Sequence, residues 1–466
     1  MEHLNFERGK SLQQAESWIE AEKAYRLVIE ENPKSFRALN NLGTVLEQQG
    51  KLPDAIESYK LAIHAKPTEA IPHYNLGNAY HRDGQLEAAE ASYRRCLEQN
   101  PDHVDAAFNL GRALYDQTRL EEALTAYQRA VALDPEYVGG HSSVGGVLIE
   151  LGRLDEAEPA IRRALELDPN SSEEHFNLGR VLEGQGKMDD ASWAYRKALD
   201  VNPENTTTKE SLGRMLHSAG RQDEAVEFLN EWIKREPDNA IPKHMLASIT
   251  GENVESRASD DYVRDTFDRF ADQFDETLKR LEYRAPSLVM AVLVDDYKVQ
   301  RNAFGSVLDA GCGTGLAGTL LRPMTRRMEG VDLSSKMLAK AQALNVYDEL
   351  FEAELTAFVS ERHDLYDCVV AADTLCYFGD LEDVVNATFQ SMKPGGAFVF
   401  TLERMNIEDD GRGYVLNPHG RYSHSEDYAR RVLEDAGFKV RAITVPTLRR
   451  EAGLPVLGLL LAADKP

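Results

Sequence analysis

Prolines recur at a constant step of 34 residues through the first half of the chain. The series is Pro33, Pro67, Pro101, Pro135, Pro169, Pro203 and Pro237. Glycine, alanine and tyrosine keep the same step, as at Gly43, Ala55 and Tyr59. Small residues let two helices cross closely, and proline ends the second helix because it cannot continue the backbone ladder. The spacing predicts helix–turn–helix units that stack on one another, since one unit cannot bury its apolar face alone.

This period and pattern resemble the tetratricopeptide repeat over about residues 2–237. A further helix, over residues 240–250, is expected to cap the last repeat. We therefore predict a first domain at residues 1–250 that is an all-α superhelix of about seven repeats. Residues 251–260 are polar and lack periodicity, which predicts a linker.

Asparagine recurs at one position of the repeat, with serine at residues 143 and 211 in the same series. The asparagines are Asn41, Asn75, Asn109 and Asn177. An asparagine side chain both donates and accepts hydrogen bonds, so this row can bind the backbone of an extended peptide. The resemblance implies a protein or peptide partner in the groove of the superhelix. The alternative is that asparagine here only holds neighbouring helices together.

The formal net charge of −25 disfavours nucleic acid as a partner, because phosphate backbones attract clusters of lysine and arginine. No apolar run reaches the length of a membrane span, and the first residues lack an apolar signal core. The four cysteines have no metal-site spacing, so no metal is predicted, and they fit reduced thiols. Together these features predict a cytoplasmic protein that does not bind membranes.

The second half of the chain contains a glycine-rich stretch at residues 306–318, which reads SVLDAGCGTGLAG. An apolar run ends in Asp309, and Gly311, Gly313 and Gly315 follow before a short helical segment. Glycine tolerates positive φ and lets a ligand approach the backbone, while the helix start offers free N–H groups. The pattern predicts a strand, a tight loop and a helix N-terminus that binds a nucleotide-like ligand.

Strand and helix signals alternate from residue 303 onward, which predicts an α/β domain with a mostly parallel sheet. The expected strands are 306–308, 328–331, 350–353, 368–371, 397–401, 439–443 and 457–462. Carboxyl ends of such strands share one edge, so Asp332, Glu354 and Asp373 should meet the glycine loop there. A carboxylate such as Asp332 can accept both hydroxyls of a ribose.

The ordered motifs VLDAGCGTG, GVDLS, YDCVVAAD and MKPGG resemble a class I S-adenosylmethionine-dependent methyltransferase over about residues 303–463. The layout as a whole resembles a family of tetratricopeptide-repeat methyltransferases. The resemblance implies a Rossmann-like second domain at residues 261–466 and S-adenosyl-L-methionine as cofactor. The implied cofactor contacts are Asp309, Gly311 and Gly313 for the methionine and sulfonium, Asp332 for the ribose, Leu333, Met337, Glu354 and Leu355 for the adenine, and Asp373 beside the pocket.

A dinucleotide site is the rival interpretation, because Gly313, Gly315 and Gly318 also fit the G-x-G-x-x-G fingerprint. That fingerprint places its first glycine directly after the strand, whereas Asp309 comes first here. An acid beside the ligand suits a cationic sulfonium and would repel a pyrophosphate. The sequence therefore favours the methyltransferase.

Residues 261–300 form a helical lead-in with aromatic residues near helical spacing. One interpretation is an amphipathic helix that packs on the following domain. The other is a lid that closes over the cofactor and excludes water, with Tyr262 as the preferred contact.

Methyl transfer requires a general base only when the acceptor is protonated. Candidates are His424 and Glu403, which we expect to face the acceptor, with Tyr422, Tyr377 and Asp373 as further options. The alternatives are structural: His424 as an ordinary helix-start residue and Glu403 paired with a nearby arginine. Residues 449–451 are expected to form a solvated turn.

Three functions follow from the sequence. The first is an active methyltransferase whose repeats recruit a protein substrate or partner. The second is a scaffold whose domain binds S-adenosylmethionine without turnover. The third is a small-molecule methyltransferase whose repeats serve assembly.

Overall fold

The structure is a computed structural model, and it describes residues 2–295, 297–298, 303–406, 411–451 and 453–466. Its chain divides into two compact units, Met1–Met215 and Leu216–Pro466. The unit division falls before the boundary at residue 250 that the sequence suggested, and that boundary stays a prediction.

Helices follow one another in pairs through the repeats, as the 34-residue step predicts. They are α1 Glu2–Gln14, α2 Trp18–Glu31, α3 Phe36–Gln48, α4 Leu52–Ala65, α5 Ala70–Arg82, α6 Leu86–Gln99, α7 Val104–Asp116, α8 Leu120–Leu133, α9 Val138–Glu150, α10 Leu154–Leu167, α11 Ser172–Gly184, α12 Met188–Val201 and α13 Thr206–Ser218. The first unit is therefore all-helical, with two helices per repeat.

The repeat glycines and tyrosines pack against each other inside each pair. A Cβ on Gly43 would lie 2.5 Å from the ring of Tyr59, and one on Gly179 would lie 2.6 Å from Tyr195. Both tyrosines are fully buried. Only glycine allows this close crossing, so the tyrosine series is core, as predicted.

The second unit begins with helices and continues into the α/β sheet. Its helices are α14 Gln222–Arg235, α15 Ala240–Thr250, α16 Asp260–Phe270, α17 Phe274–Arg280, α18 Ala285–Asp295, α19 Leu316–Leu321, α20 Ser335–Ala343, α21 Leu355–Ser360, α22 Glu382–Ser391 and α23 Glu426–Asp435. Helices α16 to α18 occupy the predicted lead-in. Residues 296 and 299–300 of that lead-in lie outside the described residues.

Residues 251–260, the predicted linker, bond to the second unit. Ala258 N donates to the carbonyl of Tyr377 at 2.8 Å, and Gly379 N donates to the carbonyl of Ser256 at 2.8 Å. This segment therefore pairs with the backbone that follows the fourth strand.

The sheet confirms the predicted α/β class. Its strands are β1 Phe304–Ala310, β2 Thr325–Asp332, β3 Glu349–Glu352, β4 Tyr366–Ala371, β5 Met392–Arg404, β6 Tyr414–Leu416, β7 Tyr422–His424, β8 Lys439–Thr444, β9 Thr447–Glu451 and β10 Leu454–Asp464. All seven expected strands occur, whereas β6, β7 and β9 were not expected.

The strand order is β3-β2-β1-β4-β5-β10-β8, and β1 to β5 pair in parallel. Strand β10 runs antiparallel to both β5 and β8. Chain order reverses between β1 and β4, and ligands of open α/β sheets bind outside the carboxyl ends of the strands at such a switch point. Residues 311–315 after β1 and 372–374 after β4 meet there.

Within the described residues, no helix has both the length and the apolar character that crossing a membrane requires.

Candidate active site

The glycine loop connects β1 to α19 through three left-handed residues. Gly311, Gly313 and Gly315 have φ values of +71°, +53° and +92°. A Cβ on Gly311 would lie 2.3 Å from Thr374, whereas a Cβ on Gly313 would meet only Phe274, at 4.0 Å. The loop is thus tightly packed at its first glycine and open above its second, which leaves a cradle in which a ligand can contact the backbone.

Thr374 holds the loop to the end of β4. Its hydroxyl donates to the carbonyl of Ala310 at 2.9 Å. This contact joins the carboxyl ends of β1 and β4, so the switch point is built from both strands. The sequence analysis did not identify Thr374, although its place directly after Asp373 was a signal for it.

Asp309 is buried at the end of β1, with 1% of its surface exposed. The hydroxyl of Tyr347 donates to its Oδ2 at 2.7 Å. Burial raises the pKa of Asp309 to about 6, the Tyr347 hydrogen bond opposes this rise, and the charge of Asp332 adds to it. The site therefore holds a carboxylate that a nearby cation would stabilise.

Tyr347 also explains two of the glycines. A Cβ on Gly318 would lie 2.1 Å from the Tyr347 hydroxyl, and one on Gly330 would lie 3.0 Å from its ring. The last glycine of the apparent dinucleotide fingerprint thus makes room for a tyrosine that bonds to Asp309. Sequence reasoning missed Tyr347, because no motif marks it.

Asp332 ends β2 directly beside the loop. Its Oδ2 accepts from Gly313 N and its Oδ1 from Ser334 N, both at 2.9 Å. Burial raises its pKa, while these backbone hydrogen bonds act to lower it. Each carboxylate oxygen keeps a further lone pair for a ligand hydroxyl. Met337 is buried behind Asp332, and Leu333 is half-buried next to it.

Glu354 caps α21 with its side chain. The carboxylate accepts from Thr356 N at 2.9 Å and from Ala357 N at 2.7 Å. Ala353 N donates to the carbonyl of Asp332 at 3.1 Å, which brings this turn to the edge of the site. Leu355 is buried. The adenine contact of Glu354 and Leu355 stays a prediction, and the Glu354 carboxylate already bonds to its own helix.

A buried ionic cluster lies past the end of β4. Arg449 is 1% exposed, and it contacts Asp373 Oδ2 at 3.2 Å, Glu451 Oε1 at 2.7 Å and Glu403. The expected solvated turn at residues 449–451 is therefore wrong, because these residues belong to β9 and Arg449 is buried. Its side chain lies inward because three carboxylates compensate its charge.

Arg421, which directly precedes β7, completes the cluster. Its Nε lies 2.8 Å from Glu403 Oε1, and its Nη2 lies 2.7 Å from Glu451 Oε1. His419 Nε2 lies 3.5 Å from Glu403 Oε2. Glu403 is thus paired with arginines, as its structural alternative proposed, and its role as a base stays a prediction.

Asp373 is the member of this cluster nearest the glycine loop in sequence and topology. Its backbone is left-handed, with φ +61°, and its N–H donates to Thr401 Oγ1 at 2.8 Å. Its Oδ1 is buried and has no hydrogen-bond partner among the described residues. Burial raises its pKa, against the effect of Arg449 and Arg421. A strained residue with a free carboxylate oxygen is typical of a ligand contact.

His424 is fully buried in β7. Its Nε2–H donates to the carbonyl of Gly379 at 3.1 Å, and its ring stacks on Tyr428 with centroids 6.0 Å apart. Burial lowers its pKa to about 4. These contacts are those of a packing residue that joins β7 to α23. The catalytic role of His424 stays a prediction that its geometry does not favour.

The lead-in helices contact the glycine loop through acids and a phenylalanine. Asp268 Oδ1 accepts from Ser334 Oγ at 2.5 Å, and Asp275 Oδ1 accepts from Thr314 Oγ1 at 2.6 Å. Phe274 lies over Gly313. Tyr262, the predicted lid contact, instead stacks on His244 of α15, with centroids 3.9 Å apart. The described contacts therefore come from residues 6 to 13 positions after Tyr262, on α16 and α17, and the cofactor contact of Tyr262 stays a prediction.

The asparagine row bonds to neighbouring side chains in the first unit. Asn41 Nδ2 donates to the Tyr25 hydroxyl at 3.2 Å, and Asn75 Nδ2 donates to Asn40 Oδ1 at 2.9 Å. Asn109 Nδ2 donates to the Tyr74 hydroxyl at 3.2 Å. Their donors link successive helices, so peptide binding by this row, Asn177 included, stays a prediction.

Sequence profiles of known families match both halves of the chain. One described as a methyltransferase domain matches residues 262–443. Tetratricopeptide-repeat profiles match residues 24–57, 46–84, 74–138, 145–192 and 176–240. Repeats and methyltransferase domain thus adjoin in sequence, as expected.

Curated relatives resemble the second half. A ubiquinone biosynthesis O-methyltransferase of Azoarcus sp. is 31% identical over 134 residues, which is 27% of this chain and 56% of the relative. A probable S-adenosylmethionine-dependent methyltransferase of Mycolicibacterium smegmatis is 28% identical over 141 residues, 30% of this chain and 54% of the relative. The chain spans about half the length of these relatives.

Solved structures resemble the repeats. The protein YrrB, titled a tetratricopeptide-repeat protein with an unusual peptide-binding site, is 24% identical with a TM-score of 0.38. It covers 40% of this chain and 97% of its own. The protein MamA is 27% identical with a TM-score of 0.34, over 34% of this chain and 94% of its own.

Proposed function

We propose that this chain, which combines tetratricopeptide repeats with a methyltransferase domain, transfers the methyl group of S-adenosylmethionine to an acceptor that its repeats recruit. The observation that carries the proposal is the buried carboxylate of Asp309 beside the half-buried carboxylate of Asp332 at the switch point. Asp309 and Asp332 both adjoin a glycine loop that is open above Gly313. Such a place suits a ligand with a positive charge and a ribose.

The residues fit this cofactor better than a dinucleotide. Asp309 has a pKa raised by burial, so a sulfonium and an ammonium group beside it would relieve an unfavourable charge, whereas a pyrophosphate would add to it. In a dinucleotide fingerprint the last glycine allows the helix to pack closely on the sheet. Here the Tyr347 hydroxyl fills the space where a Cβ of Gly318 would lie. When bound, S-adenosylmethionine supplies a methyl group already activated by the sulfonium.

The proposed contacts divide between the two sides of the loop. Asp332 would bind the ribose hydroxyls through the free lone pairs of its two oxygens, with Leu333 and Met337 against the adenine. Asp309, Gly311 and Gly313 would adjoin the methionine end. Glu354 and Leu355 are proposed at the far side of the adenine.

The acceptor side is proposed at Asp373, across the switch point. Its unpartnered Oδ1 can accept a hydrogen bond from the N–H or O–H group that receives the methyl, and Arg449 holds the other oxygen. Phe274, over the loop, would exclude water from the reacting atoms. Several curated relatives, the Azoarcus protein among them, are named as O-methyltransferases, so oxygen acceptors are the first to test.

Calorimetric titration of the full chain with S-adenosylmethionine tests the cofactor site. We expect one site per chain, and we expect Asp332→Asn to weaken binding by about 100-fold through loss of a charged hydrogen bond to the ribose. The matched control is Asp367→Asn, because Asp367 Oδ2 accepts from Ser306 N at 2.7 Å at the opposite end of β1. Binding by Asp332→Asn that equals wild type, or no binding by wild type, would refute the assignment.

A further inference from the structure

The first helix of each repeat carries a variable residue directly after the repeat glycine or its equivalent. Along the chain this residue is Lys10, which pairs with Glu7, and then Thr44, Asn78, Arg112, Gly146, Arg180 and Arg214. The three arginines, which we call the arginine row, are all exposed. They belong to helices α7, α11 and α13 of the first unit.

The arginine row forms no ion pair within the described part of the chain, unlike another basic series of the same repeats. Arg119 pairs with Glu90 and Glu122, and Arg153 pairs with Glu121 and Glu156. Those basic residues precede the second helix of their repeats, where glutamates surround them. In a chain with a net charge of −25, three exposed arginines at one repeat position form a local row of positive charge.

Acids near the row are engaged elsewhere. Asp116, one helical turn after Arg112, accepts from His81 Nε2 at 2.7 Å. Glu183, close after Arg180, accepts from the Tyr195 hydroxyl at 2.6 Å. The guanidinium groups of Arg112 and Arg180 are therefore left for a group from outside the chain.

Aromatic rings support the row one turn earlier on the same helices. The Arg180 guanidinium lies 5.9 Å from the ring centroid of Phe176. Phe108 holds the equivalent place before Arg112, and its ring packs on Tyr127 and Tyr137. A guanidinium flanked by a rigid aromatic loses little freedom when it binds a carboxylate.

Between Arg112 and Arg180 the row position carries no side chain. Gly146 occupies the row position on α9, and a Cβ there would meet nothing within 4 Å. First helices α9 and α11 contact each other, and packed helices lie about 10 Å apart. An extended chain rises about 3.3 Å per residue, so one step of the row corresponds to about three residues of a bound peptide.

We propose that the arginine row binds an acidic, extended segment of a partner protein, with carboxylates about every third residue and a larger side chain over Gly146. The charge complementarity and the unpaired state of the three arginines carry this inference. A long nucleic acid is disfavoured, because the remainder of this acidic chain would repel it. The inference rests on the proposed partner recruitment by the repeats and is independent of cofactor binding.

Fluorescence anisotropy with a labelled peptide tests the proposal on the full chain. The probe has about twelve residues with glutamate at every third position, and its analogue carries glutamine there. The row variant is Arg112→Gln with Arg180→Gln and Arg214→Gln. The matched control combines Arg94→Gln, Arg162→Gln and Arg196→Gln, three exposed arginines on second helices that change the net charge equally.

We expect the glutamate probe to bind wild type and the control alike at about 20 mM salt, and to bind the row variant about tenfold more weakly. Binding should fall at about 300 mM salt, and the glutamine analogue should not bind. The proposal would be overturned if the row variant bound the glutamate probe as tightly as wild type, or if the control lost as much affinity as the row variant. It would also be overturned if the glutamine analogue bound, or if wild type did not bind the glutamate probe. Tighter binding of an oligothymidylate than of the glutamate probe would also overturn it. Calorimetry with S-adenosylmethionine on the row variant should match wild type, which separates this proposal from the cofactor site.

Discussion

Asp309→Asn is expected to stabilise the second unit while it weakens the cofactor site. Asp309 is a buried carboxylate whose only described side-chain donor is the Tyr347 hydroxyl, at 2.7 Å. Asparagine has the same shape, and its amide oxygen can still accept from Tyr347. The substitution therefore removes a buried charge with little change in packing.

The magnitude follows from the pKa of the carboxyl. Burial raises the pKa of Asp309 from 3.8 to about 6 in the folded chain. Since the folded state binds this proton more tightly than the unfolded state, the ionised form costs stability above the folded pKa. One pKa unit corresponds to about 1.4 kcal/mol, so the cost at pH 8 is about 3 kcal/mol. It disappears as the pH falls from about 6 towards 3.8.

Hydrogen–deuterium exchange of the peptide that contains β1 measures this effect locally. At pH 8 we expect exchange in Asp309→Asn to be slower by up to about 100-fold, and at pH 4 we expect nearly equal rates. Comparison at the same pH removes the intrinsic pH dependence of exchange. Faster exchange in the variant at pH 8, or a difference that does not change with pH, would refute the burial argument. Calorimetry on the same variant should show weaker binding of S-adenosylmethionine, because a charge partner of the sulfonium is lost.

Three further outcomes are expected. Tyr347→Phe removes the donor to Asp309 and should destabilise the second unit by about 1–3 kcal/mol at pH 8 and by less at pH 5, as read from exchange of β1. Gly311→Ala should lower the thermal unfolding temperature and abolish cofactor binding, because its φ is +71° and a Cβ would lie 2.3 Å from the Thr374 side chain. The control Gly395→Ala has a similar φ, +79°, but open space around the Cβ, so it should cost only about 1–2 kcal/mol of stability and keep cofactor binding. His424→Phe should lessen the loss of stability between pH 6.5 and pH 4. The folded chain keeps His424 neutral down to its lowered pKa of about 4, whereas the unfolded chain protonates it from about pH 6.5, which costs the folded state about 3 kcal/mol over that window. An unchanged pH slope of thermal unfolding would contradict this.

The sequence allowed the repeats and the sheet to be predicted because both leave periodic or local signals. The 34-residue step recurs through the repeats, so one departure such as Ile161, which replaces the tyrosine that packs on the repeat glycine, does not hide it. The glycine loop and Asp332 each directly follow an apolar strand, and the carboxyl ends of parallel strands share one edge. Local patterns therefore identified the cofactor side of the site.

The remaining features depend on contacts between distant residues. Tyr347 reaches Asp309 from 38 positions along the chain, and Arg449 reaches Glu403 from 46 positions. A buried arginine has the same sequence appearance as a solvated one, because only its three carboxylate partners make burial acceptable. Short strands such as β6 and β9 carry too few residues to show an alternation. The acceptor side was thus the less predictable half.

Transfer of a tritiated methyl group from S-adenosylmethionine to components of a cell extract tests the central claim most directly. The full chain is added beside the Asp332→Asn variant and the Asp367→Asn control. We expect incorporated label with wild type and with the control, and none above background with Asp332→Asn. Absence of incorporated label with all three proteins, or equal incorporation with Asp332→Asn, would contradict the assignment of a methyltransferase active site to the switch point between β1 and β4.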